Sequence, residues 1–219
     1  MEPEILSIID KGRNLKLQIR KMVIKHDYPK GNKNLILLGY HSIMVEHHDS
    51  IHLLIQNKLY GSAFALVRAF YEPLYRALWV NACAKDNQIS KIMKGKDAFP
   101  KMKEMVEQID NAYRTDDFWQ RIKNNSWSAM NDYTHAGIRQ LSRRFVEDEV
   151  APNYHLGEVI EVLDGTNMAL LLMALFFFNV YKKTEEIKVI RQMIMKYSDK
   201  VLVPLHTAHC ERYAQVNVI

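Results

Sequence analysis

An apolar segment runs from Gly61 to Ala84 and reads GSAFALVRAFYEPLYRALWVNACA. A soluble protein buries a helix that is apolar on nearly every side, so this segment predicts a central helix around which the others pack. Yet Arg68, Glu72 and Arg76 follow one another at four-residue spacing and share one stripe of that helix. Charged groups rarely leave water without a partner. The stripe therefore indicates either a structural ion pair, with Glu72 held between the arginines, or the polar floor of a cleft that another helix completes.

The rest of the chain favours an all-α protein with a single domain. The chain has 219 residues, of which 48% are hydrophobic, and this is enough to bury one sizeable core. Gly and Pro number only 8 and 6, and helical periodicity is common whereas the alternating pattern of strands is hard to find. We expect an up-down helical bundle with its core over about residues 35–197. An N-terminal helix at residues 3–26 and a C-terminal tail at 204–219 are predicted as appendages.

Neither cysteine content nor hydropathy indicates secretion or a membrane span. The two cysteines, Cys83 and Cys210, are too few for a disulfide framework, and the N-terminal residues lack the pattern of a signal peptide. The most apolar run, Met168–Val180, has about 13 residues, whereas a membrane-spanning helix needs roughly 20. These features predict a cytoplasmic protein that makes no membrane contact. No motif predicts a cofactor.

The charge of the chain is compatible with a polyanionic partner. The formal net charge is +5 and the pI is near 9.0. The basic residues are spread along the chain rather than gathered in one block. The charge alone therefore does not identify a nucleic-acid-binding segment.

A second polar group lies in SWSAMNDYTHAGIRQLSRRF, residues 126–145, for which we predict one helix with Ser at its N-cap. Asn131, His135, Arg139 and Arg143 recur every four residues, and this spacing places them on one helical face. A histidine with an amide one turn before it and a guanidinium one turn after it can act as a general base, while the arginine binds a phosphate. The alternative is an interior, hydrogen-bonded histidine beside a solvated face of arginines.

The third polar group, in GYHSIMVEHHDSIH, lies on a helix predicted over about residues 34–56. His41, His48 and His52 share a face with apolar residues and are expected to point toward the core. His48 and His52 also have the spacing of two helical metal ligands, and Glu72 could complete a metal site. The alternative is a set of interior histidines bonded to the backbone or to Glu72.

The first two groups together resemble the HEPN superfamily of small helical bundles. The resemblance rests on RAFYEPLYRALWV, which places Arg68 and Glu72 one turn apart on an apolar helix, and on MNDYTH further along the chain. It covers roughly residues 35–180 and is greatest to the bacterial abortive-infection and uncharacterised HEPN-like branches. It implies an up-down bundle that commonly dimerises and, in active members, a metal-independent ribonuclease of phage defence or toxin–antitoxin systems. The partners it implies are RNA, a second copy of the chain, and an antitoxin or other defence protein.

The signature of that family is an arginine, a polar residue that is often asparagine, three further residues and a histidine. Asn131 and His135 match the polar residue and the histidine, whereas Met130 stands at the arginine position. The resemblance implies that His135 activates a ribose 2′-hydroxyl, Asn131 positions the phosphate and Arg139 offsets its charge. Loss of the arginine usually marks a binding or structural relative, although Arg139, Arg68 or Arg76 could replace it in space.

Three functions remain compatible with the sequence. An RNA-cleaving or RNA-binding effector predicts that Asn131, His135 and two charged residues of the central helix converge in one cleft. A catalytically silent helical dimer, acting as a sensor or interaction module, predicts a closed, ion-paired centre with no solvent path to His135. A metal-dependent helical-bundle enzyme requires His48, His52 and Glu72 to meet around an ion.

The aromatic residues favour a homodimer. Trp79, Trp119, Trp127 and the run Phe176–Phe178 are more than one small bundle easily hides, which indicates an interface between two copies. The same residues could equally form the core of a single bundle.

Overall fold

The computed structural model describes residues 2–201, so the predicted tail at 204–219 lies outside the described residues. The described residues are helical apart from short connections and one small hairpin, and the predicted all-α class is confirmed. The helices are α1 (Pro3–Ile24), α2 (Asn32–Gln56), α3 (Tyr60–Ala82), α4 (Asp86–Met93), α5 (Met102–Tyr113), α6 (Phe118–Thr134), α7 (Ile138–Ser142), α8 (Leu156–Val180) and α9 (Thr184–Val201). The hairpin pairs β1 (Phe145–Val146) with β2 (Glu149–Val150) in antiparallel register.

The predicted central helix is α3, which packs against α2, α5, α6 and α8. A short turn joins α2 to α3 and makes them antiparallel neighbours, as predicted. The largest buried side chains of α3 are Phe70, Tyr75 and Trp79, and burying each contributes roughly 1.5–3 kcal/mol. The charged stripe lies on a face that the neighbouring helices cover only in part, because its three side chains are 23–29% exposed.

A second core forms around α8, which packs against α1, α2, α3 and α9. Among the described helices, α8 is the one that is long and apolar enough to cross a membrane by length and composition. Of its most apolar 18-residue window, however, 61% is buried inside the protein. That burial is typical of the core helix of a soluble protein.

The aromatic residues that favoured a dimer lie mainly inside the single chain. Trp79, Trp119 and the run Phe176–Phe178 are at most 4% exposed, and Trp127 is half-buried against the first core. The alternative in which these residues form the core is confirmed. They therefore no longer support an interface between two copies.

The N-terminal helix α1 is continuous and is packed into the core, whereas the sequence predicted a helix that is an appendage to the bundle. Four of its isoleucines are buried, namely Ile5, Ile8, Ile9 and Ile19. A Cβ atom at Gly12 would lie 2.3 Å from Cε1 of His52 and 2.4 Å from Oδ1 of Asn167. Gly12 thus allows α1 to approach α2 and α8 closely instead of breaking the helix.

The start of α6 is held by the carboxylate of Asp110, which no sequence pattern indicated. Asp110 on α5 is only 6% exposed. It accepts hydrogen bonds from the backbone amides of Trp119 at 3.0 Å and Gln120 at 2.9 Å, and from the Thr115 hydroxyl at 2.5 Å. Amides in the first turn of a helix have no partner within the helix, so Asp110 acts from a neighbouring helix as a capping residue does. This is why α6 begins at Phe118, well before the predicted start at Ser126.

Replacing Asp110 by alanine is expected to lower the free energy of unfolding by about 2–3 kcal/mol, because two amides and a hydroxyl lose a buried charged acceptor. Urea denaturation followed by circular dichroism measures this loss. Glu107→Ala is the matched control on α5, since Glu107 is exposed, and its effect should stay within about 0.5 kcal/mol. Equal effects for the two variants would contradict the capping role of Asp110.

The end of α6 at Thr134 contradicts the single helix predicted over residues 126–145. Ala136 adopts left-handed backbone geometry, with φ +53°, and the amide of Gly137 donates to the carbonyl of Asp132 at 2.6 Å. A left-handed residue just after the C-cap is a common way for a helix to end. A side chain at Gly137 would clash with Asp132, so glycine is needed for this turn. The prediction of one helical face is therefore wrong for its four residues, Asn131, His135, Arg139 and Arg143.

Candidate active site

The charged stripe of α3 and the end of α6 form one continuous row of side chains. Arg68 Nε donates to Oε1 of Glu72 at 2.9 Å, and Oε2 of Glu72 lies 3.7 Å from Nη2 of Arg76. Arg68 Nη1 lies 3.2 Å from Nε2 of His135, the C-cap residue of α6. The predicted ion pairing of Glu72 with both arginines is confirmed. We call these four residues, Arg76, Glu72, Arg68 and His135, the ionic row.

The contact with Arg68 indicates the tautomer of the His135 ring. A guanidinium has donors only, so Nε2 of His135 accepts the hydrogen bond and carries a lone pair. With Nε2 as the acceptor, the ring carries its proton on Nδ1. This is the form of histidine that can remove a proton from a substrate. The His135 side chain is exposed, so a substrate can reach it.

Two aromatic rings form cation–π contacts with the arginines of the ionic row. The Arg68 guanidinium carbon lies 5.2 Å from the Trp127 ring centroid, and that of Arg76 lies 4.5 Å from the Phe99 centroid. Such cation–π contacts contribute roughly 0.5–2 kcal/mol each. Neither ring was predicted from the sequence to belong to the site. A signal existed for Trp127, which precedes His135 by two helical turns, but Phe99 lies in a connection without periodicity.

The ionic row can accept an anion. Its two arginines and one glutamate leave a net charge of +1 beside the His135 ring. Within residues 2–201, Nη2 of Arg68 has no hydrogen-bond partner, and the side chain is partly exposed. A guanidinium with free donors suits the oxygens of a phosphate group. A phosphate bound to Arg68 would lie next to the lone pair of His135.

Asn131 and Arg139, which the sequence grouped with His135, do not join the ionic row. The side-chain oxygen of Asn131 is buried without a hydrogen-bond partner, and its backbone carbonyl accepts from the His135 amide at 3.0 Å. Arg139 lies on α7, with its Nε 3.9 Å from an oxygen of Asp132. The turn after α6 separates these side chains. Arg68 is therefore the arginine that contacts His135, while Met130 is buried in the core.

His41, His48 and His52 are interior, as predicted, but among the described residues the bonds to the backbone or to Glu72 that the alternative to metal binding predicted are not formed. His48 Nε2 lies 2.8 Å from Oδ1 of Asn167, and the His48 and His52 ring centroids are 4.1 Å apart. Burial lowers the pKa of His52 to about 3 and that of His41 to about 4. Within residues 2–201, no group of three His, Cys, Asp or Glu side chains is placed to hold a metal ion. Glu72 is paired in the ionic row, so the hypothetical metal site of His48, His52 and Glu72 is not formed.

A cleft of about 480 Å³ lies between α3, α6, α7 and α8. Phe64, Val67 and Met130 contribute apolar surface to it. Arg143 and Glu158, which also line the cleft, form an ion pair. A hydrogen bond with Tyr133 and the charge of Glu158 together raise the Arg143 pKa. The residues of the ionic row do not line this cleft, which we call the α3–α8 cleft.

Comparisons with known proteins identify a family for this chain but indicate no activity. A family model described as a family of unknown function (DUF6988) matches residues 41–203. No curated protein and no solved structure matches the chain. Any functional conclusion therefore depends on the geometry of the site.

Proposed function

Because the chain belongs to the DUF6988 family, whose function is unknown, we propose its activity from the ionic row. The protein binds RNA at the row and cleaves it without a metal ion, with His135 as the general base. The observation that carries this proposal is the contact between Arg68 Nη1 and His135 Nε2 at 3.2 Å. That contact places a cation and a proton acceptor side by side at the protein surface.

The reaction follows from what each group of the row can do. A phosphodiester oxygen accepts hydrogen bonds from Arg68, which frees Nε2 of His135 from the guanidinium. Nε2 then takes the proton of the neighbouring ribose 2′-hydroxyl while the 2′-oxygen attacks phosphorus. The bond from phosphorus to the 5′-oxygen breaks, water protonates that leaving oxygen, and the hydroxide that remains takes the proton from Nε2 and restores His135. The products are a 2′,3′-cyclic phosphate and a 5′-hydroxyl, and Arg68 offsets the negative charge that develops on phosphate.

Glu72 and Trp127 act as positioning residues for Arg68. The carboxylate of Glu72 accepts a hydrogen bond from Nε of the guanidinium, and the guanidinium carbon lies over the Trp127 ring. These contacts leave Nη2 to meet the substrate. A preorganised donor costs little rearrangement when the charge on phosphate develops.

The resemblance to HEPN-like proteins supports the same activity and suggests its biological setting. In this proposal Arg68 replaces the arginine of the family signature, so Met130 does not mark a dead site. The expected setting is bacterial defence or a toxin–antitoxin system in the cytoplasm. The expected partners are an antitoxin or other defence protein and a second copy of the chain.

A catalytically silent sensor or interaction module is the second candidate. Its support is the pairing of Glu72 with both arginines, which a purely structural ion pair also explains. This candidate predicts a closed centre with no solvent path to His135, whereas the His135 side chain is exposed. We therefore favour the ribonuclease.

Replacing His135 by alanine is expected to slow RNA cleavage at least about a hundredfold, which is the usual lower range for loss of a general base. The assay follows end-labelled RNAs of mixed sequence in the presence of EDTA, and mass spectrometry identifies the 2′,3′-cyclic phosphate. The variant should stay folded because the His135 side chain is exposed. Circular dichroism checks this.

His47→Ala serves as the matched control, since His47 lies on α2 outside the ionic row, and it should cleave like the wild type. Arg68→Ala should lose activity as His135→Ala does. Equal cleavage by the wild type and His135→Ala, or cleavage that EDTA abolishes, would overturn the proposal. If the wild type leaves all tested RNAs intact, the silent module becomes the better conclusion.

A further inference from the structure

We infer that the α3–α8 cleft holds a nucleobase of the RNA whose phosphate binds to the ionic row. This inference rests on the proposed function for the origin of the ligand and adds a site for base recognition. It depends on the size of the cleft, its aromatic surface, its charge balance and its position beside the row.

The size and the surface of the cleft suit a planar ring. Its volume of about 480 Å³ falls within the range of small-molecule sites, roughly 300–1,000 Å³. The rings of Phe64 and Tyr133 meet edge to face with centroids 5.1 Å apart, and both line the cleft. Every nucleobase offers a flat π-face to such aromatic surfaces.

The charge of the cleft favours a neutral ligand over a phosphate. Its charged lining consists of two arginines and two glutamates, Arg139, Arg143, Glu158 and Glu161, so the net charge is zero. The ionic row, in contrast, carries a positive charge. We therefore expect the phosphate at the row and the uncharged base in the cleft.

Polar groups in the cleft can read the edge of a base. Ser126 already donates its hydroxyl proton to the Ile122 carbonyl at 2.8 Å, and Ser142 donates to the Arg139 carbonyl at 2.9 Å. Both hydroxyl oxygens keep lone pairs, so they can accept hydrogen bonds from an exocyclic amino group. Adenine, guanine and cytosine carry such a group, and uracil does not.

The cleft and the row lie on adjoining faces of α3. Val67 lines the cleft and the next residue, Arg68, belongs to the row. Likewise, Tyr71 lines the cleft and the next residue, Glu72, belongs to the row. The width of a helix with its side chains is about 10 Å, which a phosphate and the base on its ribose can span.

Met130 has a role in this arrangement. It stands at the arginine position of the HEPN signature, and its buried side chain lines the cleft. An arginine at position 130 would add a third positively charged side chain to a lining whose net charge is zero. Methionine keeps the surface apolar, as contact with a base requires.

The test measures binding of adenosine, guanosine, cytidine and uridine to the full chain by saturation-transfer NMR and calorimetry. Nucleosides carry no phosphate, so their binding does not depend on the ionic row. At least one nucleoside with an exocyclic amino group should bind more tightly than uridine. Ala129→Trp fills the cleft and should weaken that binding roughly tenfold or more.

Ser128→Trp is the matched control, because Ser128 is the preceding residue of α6, is exposed and does not line the cleft. It should bind nucleosides like the wild type. Ser126→Phe fills the cleft from another position and replaces Ala129→Trp if that variant does not fold.

The outcomes separate this inference from the proposed function. If no nucleoside binds at millimolar concentration, or if filling the cleft leaves binding unchanged, the base site is wrong even where RNA cleavage depends on His135. If nucleosides bind to the wild type and the variants with a filled cleft bind them less tightly, the base site is supported even where the protein cleaves no RNA.

Discussion

Replacing Gly12 by alanine is expected to destabilise the protein by about 3 kcal/mol or more. The added methyl carbon would lie 2.3 Å from Cε1 of His52 and 2.4 Å from Oδ1 of Asn167. Neither group can move freely, because both are buried and Asn167 is bonded to His48 and Tyr197. The methyl therefore causes overpacking, which costs roughly 1–3 kcal/mol, and strains buried hydrogen bonds that cost a similar amount when lost.

The matched control for Gly12→Ala is the same substitution at Gly39. Gly39 lies inside α2, and a Cβ atom there would meet nothing within 4 Å. Alanine is the better helix former, so Gly39→Ala should stabilise the protein by up to about 1 kcal/mol. Urea denaturation followed by circular dichroism compares the two. Changes of the same sign and size at both positions would show that α1 does not pack against His52 and Asn167 as described.

Lowering the pH from about 6.5 to 4 is expected to destabilise the protein through two buried histidines. Burial lowers the pKa of His52 to about 3, with a further contribution from the charge of His48, and lowers the pKa of His41 to about 4. Between these values and the ordinary histidine pKa of about 6.5, the unfolded chain binds protons that the folded chain does not. The free energy of unfolding therefore falls as the pH falls, by up to about 1.4 kcal/mol per pH unit for each histidine.

Chemical denaturation at pH 7, 6, 5 and 4 measures this dependence. His41→Leu is the informative variant, because it removes a buried titrating ring that packs against Phe177. Its stability should fall less steeply below pH 6.5 than that of the wild type. An unchanged slope in His41→Leu would contradict a role for His41 in acid destabilisation.

The parts of the fold that were predicted from the sequence are those that depend only on residue spacing within a single helix. The apolar segment at α3, the interior histidines of α2 and the pairing of Glu72 with both arginines each follow from residues three or four positions apart. Such neighbours meet wherever the helix forms. The candidate site was predictable to the same extent, since the residues of its ionic row were named from α3 and from the motif around His135.

The segment from Asp110 to Arg143 was not predictable from local pattern. The four-residue spacing of Asn131, His135, Arg139 and Arg143 indicated one helix over residues 126–145, but the start of α6 depends on the Asp110 carboxylate of another helix. The end of α6 depends on the tight turn at Ala136 and Gly137. Residue spacing within one helix carries no information about the capping by Asp110 or about this turn.

The sequence by itself determined the all-α class, the central position of α3 and the chemistry available on its charged stripe. Only the tertiary structure decided which arginine meets His135. Arg139 is close to His135 in sequence but is turned away after α6, whereas Arg68 contacts it because α6 packs against α3. Spacing along one helix specifies neighbours on that helix, while contacts between helices depend on how their buried faces fit together.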